Sequence, residues 1–178
     1  ESKEAAKLNL HIAKTFKERA YAASEQMAMM FGEPELLKGY GRRNTTLMAI
    51  APTKSSSFIL GQVSQSIEPE FSNCYVKDLA KMKVTIKNPF LLKLLQEKGE
   101  DKPEVWDQIR NNDGSVQKLD VLTDEEKEVF KTFSEINPEV IITQAATRQT
   151  YIDQAQSINL MLDPDTPVKE INALYLTA

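Results

Sequence analysis

The stretch APTKSSSFILG, residues 51–61, sets one threonine and three serines between an apolar run and a short helical pattern. The run before it, TTLMAIA at residues 45–51, has strand length and almost no polar interruption, which suits a strand covered on both faces in a parallel α/β sheet. Where such a strand meets a helix, the first backbone N–H groups have no intrahelical partner and the helix dipole adds partial positive charge, so an anion fits there. Hydroxyls from Thr53, Ser55, Ser56 and Ser57 would add neutral donors and Lys54 a point charge, which together make a compact phosphate cradle. The same residues suit a plainer reading, in which Ser55 or Ser56 caps the short helix SFILG and the other hydroxyls belong to a turn. No glycine precedes the hydroxyls, so the GxxxxGK[ST] loop of nucleoside triphosphatases is not what they form. On the residues alone both readings stand.

Residues 45–51 are the only buried strand legible in the sequence. A lone buried strand cannot satisfy its edges, so its neighbours come from outside this sequence or from distant segments. Downstream, CYVKDLAKMKVTIK at residues 74–87 alternates on either side of a polar turn, which predicts a small antiparallel hairpin. The remainder reads as helix. Ala5, Leu8, Ile12, Phe16, Ala23, Met27 and Met30 recur at three- and four-residue steps, a stripe expected to face the core, before Gly32 and Pro34 end the helix. Asn88 with Pro89 opens a helix that stops at Gly99, and another runs from Pro103 to Asn111 with Trp106 and Ile109 inward, before NNDGS turns the chain. Thr123 and Glu126 form a capping box, and Asp124, Glu125 and Glu126 suit the positive end of that helix rather than acid catalysis. Asn137 and Pro138 begin a helix expected to continue through Ile152, and Thr166 and Pro167 begin the last. That last helix stops within an apolar pattern and the first starts almost at residue 1, which suggests a piece of a longer polypeptide.

The 178 residues are 41% apolar, enough for one domain with a real core, and carry a net charge of −4. That charge does not supply the positive surface that binding to nucleic acid requires. No stretch approaches the ~18 to 20 apolar residues of a membrane span and no signal peptide is legible, so the expected location is the cytoplasm. One cysteine, Cys74, excludes an internal disulfide, and one histidine, His11, leaves no zinc constellation. Asp153, Gln154, Gln156 and Asn159 invite a catalytic reading, but at a helix end such groups more often satisfy backbone. Arg148 would pair with Asp153 only if the helix distorts.

Five stretches in series resemble the large subunit of ribonucleotide reductases of class I. They are GRRNTTLMAIAPTKSSSFILG at residues 41–61, SIEPEFSNCYVKDL at 66–79, NPFLLKLLQEKG at 88–99, IRNNDGSVQ at 109–117 and TRQTYIDQAQSINL at 147–160. The resemblance implies an α/β fold, a mostly helical fragment of a ten-stranded barrel with residues 45–51 as one buried barrel strand beside the small hairpin. Residues 1–178 would be a C-terminal part of the barrel domain, without its finger loop and final strand. The resemblance also implies that Thr53, Ser55 and Ser56 grip the diphosphate of a ribonucleoside diphosphate through their hydroxyls, with Lys54 contributing its backbone amide.

No catalytic residue of the family falls in this chain, and Cys74 lies where no redox cysteine of the family falls, as a buried small apolar residue. The fragment would bind no cofactor, its radical being supplied by a small subunit, and its partners would be the substrate, the rest of the large subunit and that small subunit. The last helix places Val168, Ile171 and Tyr175 on one face, near the family's groove for the tail of the small subunit. The rival readings are a non-catalytic helical adaptor and a split-gene half that assembles in trans.

Overall fold

A computed structural model describes residues 2–61, 64–79 and 82–178, apart from the side chains of Phe58 and Leu79. Two compact units emerge, Glu1–Pro52 with Asn137–Ala178, and Thr53–Ile136.

In the first unit, α1 spans Lys3–Phe31; the Ser2 hydroxyl accepts the Ala5 N–H at its start, and Gly32 ends it at φ 76°. The buried residues of α1 are small, namely Ala13, Ser24 and Ala28. Small residues let α1 approach the later helix α6 (Pro138–Gln149) closely, with Asn9 Nδ2 donating to the Gln144 carbonyl at 3.2 Å. The apolar stripe expected to be core is instead largely exposed: Leu8 is 58% exposed, Phe16 60% and Met30 67%. Three- and four-residue spacing reports that these residues share a flank, but not which flank the neighbours cover.

The segment at residues 45–51 also departs from expectation. Its residues are exposed or half-buried, and it forms one isolated parallel bridge, Ile50 with Gln156, rather than a buried strand. The Gln154 N–H donates to the Met48 carbonyl, the Ile50 N–H to Ala155 and the Ser157 N–H to Ile50, at 3.0–3.2 Å. The segment is therefore extended and held from one side. The apolar composition was read correctly, but a strand buried on both faces needs layers above and below it.

Asn137 caps α6 through its side chain on the Glu139 N–H. The helix stops at Gln149 instead of running through Ile152, because Tyr151 and Ile152 turn back onto the carbonyls of Arg148 and Gln149. The final helix, α7, spans Val168–Thr177 and buries Leu174.

The second unit begins with the single turn α2 (Ser56–Ile59). Strands β1 (Cys74–Leu79) and β2 (Met82–Lys87) form the expected antiparallel hairpin, with Cys74 opposite Lys87. Helices α3 (Pro89–Glu97) and α5 (Asp124–Val129) begin at the caps read from the sequence, and α4 (Pro103–Asn111) has the span expected of it without a side-chain cap. Asn88 accepts from the Phe90 and Leu91 N–H groups, and Thr123 with Glu126 completes the capping box.

Trp106 and Ile109 enter one core with Cys74, Leu91, Leu95, Val116, Leu119 and Leu122. Full burial of a side chain such as Leu91, Leu95 or Ile109 contributes about 1.5–3 kcal/mol. The Cys74 thiol is buried among these residues, and desolvation pushes its pKa up, as suits an unreactive apolar filler. Asn73 knits this unit together: its Nδ2 donates to the carbonyls of Gly114 and Phe130, and its Oδ1 accepts from Asn88 Nδ2. Gly114, at φ 82°, lets the chain pass so close that a Cβ there would meet the Ser72 backbone and side chain. Among the described residues, no helix is long and apolar enough to cross a membrane.

Candidate functional site

Thr53, Lys54, Ser55 and Ser56 form a contiguous exposed loop that enters α2. Thr53 adopts φ 43°, a left-handed conformation that is an outlier for a β-branched residue. Two contacts hold it there. Its Oγ1 accepts the Ser66 N–H at 2.7 Å, and its carbonyl accepts the Ser57 N–H at 3.1 Å. Since Ser66 uses a lone pair of Oγ1, the hydroxyl proton of Thr53 is left to donate elsewhere.

The Ser56 and Ser57 hydroxyls donate to the Thr53 and Lys54 carbonyls at 3.4 and 3.2 Å, so both point back into the preceding turn. Ser57 is buried, which makes it a structural member of the turn, whereas Thr53, Lys54, Ser55 and Ser56 are exposed. Ser66 itself sits at φ 54°. No local sequence signal marks its contact with Thr53, because the two lie thirteen positions apart.

In the other unit, Asp153 and its neighbours satisfy backbone where α6 ends, as the plainer reading of YIDQAQSINL expects. The Asp153 carboxylate accepts the Leu47 N–H on both oxygens, at 3.1 and 2.9 Å, and the Met48 N–H on Oδ1 at 2.8 Å. Partial desolvation raises its pKa, but these amide bonds and the Arg42 charge outweigh that, so the carboxyl lies below its ordinary value. Arg148 is buried and donates to Gln156 Oε1 and Asn9 Oδ1, both neutral, and burial lowers its pKa. Gln156 in turn donates to the Ala145 carbonyl and Gln149 Oε1. A hollow of about 320 Å³ beside α6, lined by Ile142, Ala145, Ile158 and Leu160 with two glutamines, brings no cation to bear on an anion.

A family model described as "Ribonucleotide reductase, barrel domain" matches residues 1–178. The chain belongs to the ribonucleotide reductase barrel-domain family. A large subunit of ribonucleoside-diphosphate reductase from Invertebrate iridescent virus 6 is 43% identical over 182 residues, covering all of this chain and 19% of that protein. An alpha subunit of the same enzyme from Chlamydia trachomatis is 41% identical over 80% of this chain and 14% of its own length. The solved structure of the Actinobacillus ureae class Id ribonucleotide reductase alpha subunit superposes with a TM-score of 0.89 at 61% identity, over 99% of this chain and 32% of that one. The chain thus spans between about a seventh and a third of these relatives. As a member of this family it is part of a ribonucleotide reductase large subunit, with mixed helices and a small antiparallel sheet.

Proposed function

We propose that this chain carries the substrate-phosphate site of a cytoplasmic class I ribonucleoside-diphosphate reductase large subunit, and that residues 53–56 hold the substrate's diphosphate. The observation that carries the reading is the Thr53–Ser56 loop, where a strained threonine is clamped by the Ser66 amide with its hydroxyl proton free. Strain of this kind, of order 1–3 kcal/mol, persists where surrounding structure over-determines it, and it clusters at ligand clamps. The names of the relatives supply the substrate class, a ribonucleoside diphosphate.

In this reading the hydroxyls of Thr53, Ser55 and Ser56 and the amide of Lys54 bind phosphate oxygens. The grip sets the ribose in place for reduction by cysteines elsewhere in the complete subunit, so these residues act by positioning. Cys74, buried in its apolar core, takes no part. Residues 45–51 become a strand of the ten-stranded barrel once the rest of the subunit supplies layers and edges. The radical comes from a small subunit, whose tail docks against the exposed Ile171 and Tyr175 of α7.

The test is the double variant Ser55→Ala/Ser56→Ala in the complete subunit. Each neutral donor to a charged group is worth about 1.5–3 kcal/mol, so the KM for the diphosphate substrate should rise about tenfold or more. An unchanged KM would return the loop to a helix cap and favour a helical adaptor.

A further inference from the structure

We propose that Arg148 is a docking point for a carboxylate carried by the remainder of the large subunit, which closes over the guanidinium where α6 meets α1. The first compact unit builds this point by itself, since Asn9, Arg148 and Gln156 all belong to it.

Arg148 is 8% exposed and is the one charged side chain among the described residues that are buried. A guanidinium cannot relieve burial by losing its proton, so the charge stays. Its partners are two neutral oxygens, Asn9 Oδ1 at 2.8 Å and Gln156 Oε1 at 3.2 Å. Among the described residues it makes no ion pair, and desolvation acts on its pKa with no charged neighbour to oppose it. Buried charges in folded proteins are paired, so this one lacks the anion that would offset its dehydration.

The two amides that hold it are themselves fixed. Asn9 Nδ2 donates to the Gln144 carbonyl at 3.2 Å, and Gln156 Nε2 donates to the Ala145 carbonyl and to Gln149 Oε1 at 2.8 and 2.9 Å. Gln149 Nε2 is engaged in turn by the Ile152 and Gln154 carbonyls. Each amide oxygen is therefore turned toward Arg148, and neither amide rotates without losing bonds. The two contacts use one N–H on Nε and one on Nη1, which leaves one N–H on Nη1 and both on Nη2. A guanidinium held in one orientation with N–H groups to offer is prepared for the paired bonds that a carboxylate accepts.

A protein carboxylate fits this point better than a free phosphate. One positive charge matches one negative charge, whereas a phosphate dianion would face the Asn9 and Gln156 oxygens with a single cation to hold it. Beside Asn9 on α1, Leu8 and Ile12 are 58% and 45% exposed, apolar surface that a docked segment covers and an inorganic ion does not. The chain spans about a third or less of its relatives, so most of the subunit that can bring an acid here lies outside it.

The experiment uses the complete large subunit and reads hydrogen exchange of the α6 amides, corrected for the intrinsic effect of pH, in the parent and in Arg148→Met. Removing the cation leaves the docked carboxylate buried without a partner, so α6 protection should fall about a hundredfold or more near neutral pH. A stranded carboxyl has a raised pKa and is relieved by taking up a proton, so the deficit should shrink to about tenfold as pH falls to about 5. What remains is the loss of the Asn9 and Gln156 bonds.

A deficit of the same size at both pH values would mean that Arg148 only ties Asn9 to Gln156, and the proposal is overturned. It is equally overturned if the variant is as protected as the parent, the result for a cation with no acid to strand. Inorganic phosphate added at constant ionic strength should leave α6 exchange unchanged. Protection that rises with phosphate in the parent and not in the variant would assign the point to a free anion and overturn the docked carboxylate. If Arg148→Met does not fold, Arg148→Gln, which keeps a donor for Asn9 and removes the charge, decides by the same comparison across pH.

Discussion

Replacing Asn73 with alanine tests what holds the second unit together. The side chain is 2% exposed and makes bonds of 3.0, 2.8 and 2.9 Å to the Gly114 carbonyl, the Phe130 carbonyl and the Asn88 amide. Removing these bonds at about 1 kcal/mol each gives about 3 kcal/mol. The Gly114 carbonyl keeps a second donor, the Asn73 backbone N–H at 3.1 Å, so it is not orphaned. The part-buried Phe130 carbonyl loses the Asn73 donor, which adds about 1 kcal/mol or more and brings the expected loss to about 4 kcal/mol. Trp106, the only tryptophan, lies in the core of the same unit, so urea unfolding followed by its fluorescence reads this effect directly. Asn73→Asp keeps the shape but turns the donor into a carboxylate oxygen facing two carbonyls, and should cost more than alanine. A loss below about 1 kcal/mol for Asn73→Ala, or an aspartate variant as stable as the parent, would refute the reasoning.

Burial pushes the Glu70 carboxyl above its ordinary value. Its protonated form therefore suits the fold, and that contribution fades as pH rises through the raised value, so Glu70→Gln should stabilise the protein at neutral pH. Urea midpoints measured against pH should show the advantage vanishing below the ordinary carboxylate range, and a constant advantage would sink the idea. Asp153 has the opposite sign: its lowered pKa stabilises above the ordinary value and is lost as pH falls through the folded one. On α7, Ile171→Asp in the complete subunit should weaken affinity for the small subunit, and an unchanged titration would remove α7 from that interface.

What the sequence revealed was local. The caps at Asn88, Thr123 and Asn137 are complete within three residues of chain, and the structure forms all three. Trp106 and Ile109 point inward because the amphipathic period of α4 leaves them no other face. The loop Thr53–Ser56 was legible for the same reason, being a run of donors in one place. What failed depends on who covers whom. The stripe on α1 and the run at residues 45–51 were both recognised as apolar, yet burial needs a covering surface that periodicity cannot name. The end of α6 was missed because Tyr151 and Ile152 turn back where Asp153 engages a segment over a hundred residues earlier. The Ser66 clamp on Thr53 escaped notice likewise, as a backbone amide carries no residue-type signature.

The flank of α1 has a colloidal meaning. Twenty-nine residues make a rod about 44 Å long, and Leu8, Ile12, Phe16, Met27 and Met30 lie exposed along it, with Met29 and Phe31 near its end. Contiguous apolar patches of more than a few hundred Å² are rare on monomers that stay dispersed in water. Taken on its own, α1 is an amphiphile, since burying its exposed apolar flank against an oily surface would lower its free energy.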